Sequence, residues 1–191
     1  MLVFLCAVLL IVGLFFVVKP KYTVKGATYY CFCPYVTKTQ TEAQTQAEEV
    51  RIKCGAGYVF EDGETYYVIA SAYLNKDVAQ KIASKNGGTV YEISLPTLSF
   101  YDKNQADEQS VAYTRIFGYA SSLIMLSQDF DNARESVDSV LLEINRYEIA
   151  IKTEAHPIFS ALTPKISGNC VVALKYYACD LIFSAYKYFR E

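Results

Sequence analysis

The run TYYVIASAYLNKDVAQKIASKNGGTVYEIS, residues 65–94, decides the fold. Its first part, Thr65 to Leu74, is made of β-branched, aromatic and small residues that suit a strand, whereas Val78, Ala79, Ile82 and Ala83 then recur at helical steps. Asn75 stands where a helix cap is wanted, and Gly87 stands where a left-handed residue closes a helix. Thr89 to Ser94 returns to strand character. The segment therefore predicts strand, helix, strand.

The same order occurs upstream. Thr28-Tyr29-Tyr30 opens a strand stretch running to about Tyr35, Ala43, Ala47, Val50 and Cys54 form a helical stripe, and Gly57 to Glu61 reads as a short strand. Thr39 and Glu42 have the spacing of a capping box, and Gly55 is placed to end that helix in the left-handed conformation. Between the halves, Glu61-Asp62-Gly63-Glu64 contains Asp-Gly, a hairpin signal whose central residues tolerate positive φ. The order βαββαβ predicts a ferredoxin-like α+β domain over residues 26–96: a four-stranded antiparallel sheet with both helices on one face and the other face open.

These residues carry a resemblance. The duplicated Tyr-Tyr strand opening, the sequence YYVIASAYLNKDVAQKIASK and the closing GGTVYEIS resemble the SPOR (sporulation-related repeat) domain. The resemblance implies a non-enzymatic module that binds peptidoglycan, classically glycan strands stripped of their stem peptides, in cell division or sporulation. Mapped onto this chain, it puts Val68, Ala70 and Ala72 against the helices and Tyr67 and Ile69 on the open face, with Ser71 where a small residue ends the strand. Aligning the two Tyr-Tyr pairs carries this upstream: Cys31 and Cys33 point to the helices, Tyr30 and Phe32 to the open face. The glycan-binding candidates are thus Tyr30, Phe32, Tyr67, Ile69 and Ser71. Phe32 and Ile69 stand where the family often places polar readers. The alternative is a protein-interaction scaffold whose sheet face is covered by C-terminal helices, with contacts to an envelope or divisome protein.

Outside this domain the chain changes character. Leu2 to Val18 has no charged or strongly polar side chain, and a bilayer core takes ~20 apolar residues at ~1.5 Å each, so residues 1–20 read as an uncleaved single-pass transmembrane anchor. Lys19, Lys21 and Lys25 would hold the following domains in the cytoplasm, whereas the resemblance implies the extracytoplasmic side of the cell membrane. Residues 104–191 predict about three amphipathic helices. Their stripes are Tyr113, Ile116, Phe117, Ala120, Leu123 and Ile124; Val137, Val140, Leu141, Ile144, Tyr147 and Ile151; and Val171, Leu174, Ala178, Leu181, Ile182, Ala185 and Phe189. Asn132 with Glu135 is placed to start the second helix, and Pro164 with Gly168 to separate it from the third.

Composition excludes several classes. With 18 basic and 20 acidic residues and a net charge of −2, no footprint for a nucleic-acid backbone exists. An open sheet with central aromatics is also how RRM domains stack RNA, but the basic loops and the Lys/Arg-Gly-Phe/Tyr signature are missing. The six cysteines form no metal-binding pattern; Cys31 and Cys33 read as small core hydrophobes, or as partners of Cys54 in a disulfide. The sole histidine, His156, lies beside Pro157 in a connection without an obvious nucleophile or carboxylate partner. Asp129-x-Asp131 reads as capping at a helix start. No cofactor, metal or catalytic residue is expected.

Overall fold

Pro34 and Ala70 interrupt the two long central strands and divide the sheet. In this computed structural model, which describes residues 22–154, 156–160, 162 and 169–190, the first strand runs as β2 (Thr28–Cys33) and β3 (Tyr35–Thr37) on either side of Pro34, preceded by β1 (Tyr22–Val24). Helix α1 (Gln40–Ile52) and strand β4 (Tyr58–Asp62) follow. The next long strand is β5 (Thr65–Ile69) and β6 (Ser71–Tyr73), broken at Ala70, and it leads into α2 (Lys76–Asn86), β7 (Thr89–Ser94) and β8 (Leu98–Phe100).

The single four-stranded sheet is corrected by this arrangement. The described strands form three small antiparallel sheets, ordered β6-β2-β7, β3-β5-β4 and β1-β8. Proline has no N–H to give to a ladder, which ends regular pairing at Pro34. At Ala70 the pairing is irregular but not lost: its N–H donates to the Phe32 carbonyl at 2.9 Å, and its own carbonyl accepts from Ala56 N–H at 2.7 Å. Two three-residue strands, β1 and β8, add a ribbon that the sequence reading lacks.

Local signals account for the helices. Thr39 accepts a hydrogen bond from Glu42 N–H at the start of α1, and Asn75 Oδ1 accepts from Asp77 and Val78 at the start of α2. The hairpin between β4 and β5 turns on Gly63 and Glu64 rather than on Asp62 and Gly63. Asp62 pairs with Thr65, and Gly63 holds φ +60 at the first turn position, as a type II′ turn requires.

The C-terminal region holds four described helices rather than three: α3 (Lys103–Asp131), α4 (Val137–Thr153), the single turn α5 (Pro157–Ser160) and α6 (Cys170–Arg190). Ser136, not Asn132, caps α4 by accepting from Ser139 N–H, while Asn132 closes α3. Asp129 and Asp131 accordingly end a helix instead of starting one. Acids are unfavourable at that pole, and here they are offset by Arg134 and Lys175. The stripes of α3 and α6 are buried apart from half-buried Phe117 and Phe189, but Val137 and Leu141 of α4 are exposed.

Three layers result. Helices α1 and α2 lie on one side of the strands; α3 and α6 cover the other, with α4 packed on both of them. The open face is therefore closed by the chain itself: Phe183 of α6 stacks on Tyr58 at 5.3 Å and meets Phe60 at 4.3 Å between ring centres. Among the described helices none is long and apolar enough to cross a membrane. The anchor read at residues 1–20 lies outside the described residues, as do Pro164 and Gly168, and the described fold is the layered α+β unit.

Candidate functional site

The register of the internal repeat decides which residues face which layer. The structure pairs Ala43 with Ala79 and Ala47 with Ala83, all buried against the strands, 36 residues apart. The Tyr-Tyr pairs are 37 apart, and because strand side chains alternate, that one-residue slip turns the whole of β2 over. The expected facing of β2 is thus corrected. Tyr30 and Phe32 pack with Tyr73, Ala79 and Ala83 on the helix side, whereas Cys31 and Cys33 lie in the core beneath α6. In the second half Val68 and Ala70 face the helices as expected, but the break at Ala70 switches the alternation and sends Ala72 to the opposite side.

The five candidate residues are consequently dispersed. Ile69 is fully buried and Tyr67 half-buried under the C-terminal layer; Ser71 is buried and donates to the Ala70 carbonyl at 2.7 Å. Tyr30 lies beside α2 with the Lys76 ammonium 5.8 Å from its ring centre. Phe32 is the one that reaches a cavity. What remains accessible of the covered face is a rim recess of about 210 Å³ lined by Phe60, Glu61, Asp62, Tyr186, Lys187 and Arg190, next to Tyr91, whose hydroxyl donates to Asp62 at 2.9 Å.

The larger cavity is on the other side. A groove of about 580 Å³, within the usual range for ligand sites, opens where the two strand breaks meet the C-terminal ends of α1 and α2. Its floor is Phe32, Pro34, Val50 and Ala70; Tyr35, Lys53, Asn86 and the Gly87-Gly88 backbone form its walls. The Tyr35 hydroxyl is held by Glu49 at 3.1 Å. Asn86 donates from Nδ2 to the Ile82 carbonyl at 3.0 Å. No carboxylate lines the groove, and Lys53 is its single charge. Carbonyls at two helix C-termini favour hydrogen-bond donors, and the amide and ammonium offer donors in return. A neutral or weakly anionic polyhydroxylated ligand with an apolar flank matches that set.

One wall is under strain. Helix α1 ends in a Schellman motif, with Cys54 N–H donating to Arg51 O and Gly55 N–H to Val50 O, both at 2.9 Å. The left-handed residue is Cys54, at φ +62, and not Gly55. For a residue with a Cβ this costs about 1–2 kcal/mol. Gly55 is needed for another reason: a Cβ there would lie 2.6 Å from Val50 Cγ1 and 3.2 Å from Ala70 Cβ.

The described cysteines are free thiols, so Cys54 is not joined to Cys31 or Cys33. Burial pushes the Cys33 thiol up to about 12 and raises those of Cys31 and Cys179 well above the ordinary range. His156 accepts at Nδ1 from Ile158 N–H and packs edge-on against Tyr188; desolvation lowers its pKa. Among the described residues no group of histidine, cysteine and carboxylate side chains is arranged to hold a metal ion.

No family model matches the chain, and no curated protein matches it. Among solved structures it is similar to the solution structure of the peptidoglycan binding domain of the B. subtilis cell wall lytic enzyme CwlC. The likeness is 20% identical, covers 36% of this chain and 90% of that one, and has a TM-score of 0.28.

Proposed function

We propose that the chain is a non-enzymatic binding module for peptidoglycan glycan strands, and that it reads them through the groove between α1 and α2. The observation that carries the reading is the lining of that groove: aromatic and apolar floor, amide and backbone polar groups, and one cation, with no carboxylate among the lining residues. Sugar rings present C–H faces that pack on aromatics and hydroxyls that satisfy backbone carbonyls. Removing stem peptides leaves a free lactyl carboxylate on each muramic acid, and Lys53 supplies its counter-charge. Preference for denuded glycan follows from that single charge, and the module works in the cell envelope where such strands arise in division or sporulation.

Co-sedimentation of the full chain with amidase-treated and untreated sacculi tests this. The treated wall should pellet more protein, Tyr35→Ala should weaken pelleting from both, and Lys53→Gln should abolish the preference. Equal retention by all variants, or none by the unaltered chain, contradicts the reading. A scaffold role is the second reading, favoured by the covering of the sheet face by α6 and by exposed Met125 and Leu142 around a recess between α3 and α4. It predicts that the protein stays in the supernatant.

A further inference from the structure

The turn Lys53-Cys54-Gly55 is gripped from two sides. Towards α1 and α2 its flanking residues line the groove. From the far side Lys175 of α6, a nearly buried lysine, donates from Nζ to the Cys54 carbonyl at 3.1 Å and to Asp131 Oδ1 at 2.8 Å. Asn169, one residue before α6, directs its amide Nδ2 at the Cys54 sulfur at 3.9 Å. A non-glycine residue at φ +62 persists only where its surroundings over-determine it, and here the carbonyl and the thiol of that one residue are both held by the C-terminal layer. Lysine is costly to bury, and a methionine of similar length would pack there without that cost. Its ammonium is shared between the Asp131 carboxylate, which offsets that cost, and the Cys54 backbone carbonyl beside the groove, which a methionine could not hold.

We infer that Lys175 is a positioning residue for the groove: it fixes the left-handed turn at Cys54 and thereby sets where Lys53 stands. The inference rests on the glycan reading for its consequence, but the fixing of the turn is independent of it. The C-terminal layer then has a defined task, holding a wall of a site that it does not itself touch.

Two variants separate positioning from simple stability. Lys175→Met removes the donor and keeps the stem; it should lower retention on amidase-treated sacculi roughly tenfold with no loss of cooperative thermal unfolding. It should also quicken iodoacetamide alkylation of the exposed Cys54 thiol several-fold, as the freed turn leaves its left-handed state. Adding Cys54→Gly, which adopts positive φ without strain, should restore retention in the Lys175→Met background. Wild-type retention and an unchanged alkylation rate in Lys175→Met would overturn the inference, as would a loss that Cys54→Gly fails to restore. If the unaltered chain does not pellet, the glycan reading falls, and the alkylation rate alone decides whether Lys175 fixes the turn.

Discussion

Lys175 Nζ lies 3.1 Å from the carbonyl oxygen of Cys54, joining the central helix of the C-terminal layer to the one described helix-ending turn that places a cysteine at positive φ. The strain at Cys54 makes a direct prediction. Cys54→Gly alone should raise stability by about 1 kcal/mol, because it removes the left-handed penalty while Gly55 N–H keeps its bond to Val50 O. Urea unfolding measures it. A destabilised Cys54→Gly would mean that the thiol packs more than the backbone strains.

Gly63 and Gly88 differ sharply in what a side chain would meet. Both have positive φ, but at Gly63 a Cβ finds nothing within 4 Å, whereas at Gly88 it would sit 2.6 Å from the Cys33 carbonyl oxygen and 2.9 Å from Pro34 Cα. Gly63→Ala should cost about 1–2 kcal/mol, the backbone penalty alone. Gly88→Ala should cost clearly more and should distort the groove floor at Phe32, whose ring lies 3.0 Å from the same Cβ position. Equal melting temperatures for the two variants would contradict this.

The switch from period 2 to period 3.6 made the βα order legible, and Thr39 and Asn75 marked both helix starts. The register of the repeat was not legible from the Tyr-Tyr pairs, because tyrosines are amphipathic and are tolerated on either face of a half-buried strand. The repeat-equivalent alanines, Ala43 with Ala79 and Ala47 with Ala83, each buried against its own strands, carry the register, since only a small side chain fits where a helix approaches a strand. Of the groove the sequence reading named Phe32 alone among its binding candidates, and it placed that residue on the opposite face. The groove's lining comes from Phe32, Lys53, Ala70 and Asn86, scattered along the chain and brought together by two strand breaks, of which only Pro34 announces itself.

The covering of the sheet rests on Phe183, fully buried between Tyr58, Phe60 and α6's own neighbours. Phe183→Ala should cost about 3–5 kcal/mol, the usual range for emptying a buried aromatic site. The same variant should increase binding of a hydrophobic dye as the face loosens. A loss below about 1 kcal/mol would show that α6 is a lightly held cover, a departure from the core packing described above.

Alkaline pH should destabilise the fold from about the ordinary thiol and phenol values upward. Burial raises the thiols of Cys31, Cys33 and Cys179 and the phenols of Tyr29, Tyr58 and Tyr147. Their stabilisation is complete below the unfolded values of 9.0 and 10.0, and it is lost as pH rises towards the folded ones, because the unfolded chain releases protons that the native state keeps. Each such group contributes a slope of about 1.4 kcal/mol per pH unit. Urea midpoints measured from pH 8 to 11 should fall, and Cys31→Ala with Cys33→Ala should flatten the first part of the decline. A flat profile for the unaltered chain would contradict these burials.

The central claim is the location of the glycan site, and backbone amide shifts of the full chain, titrated with oligosaccharides that muramidase releases from amidase-treated peptidoglycan, test it most directly. The account predicts shifts confined to Tyr35, Lys53, Gly55, Asn86, Gly87 and Gly88 around the groove. Shifts centred on Tyr67, Tyr91 and Asp62 at the rim of the covered face, or no shifts at all, would contradict it.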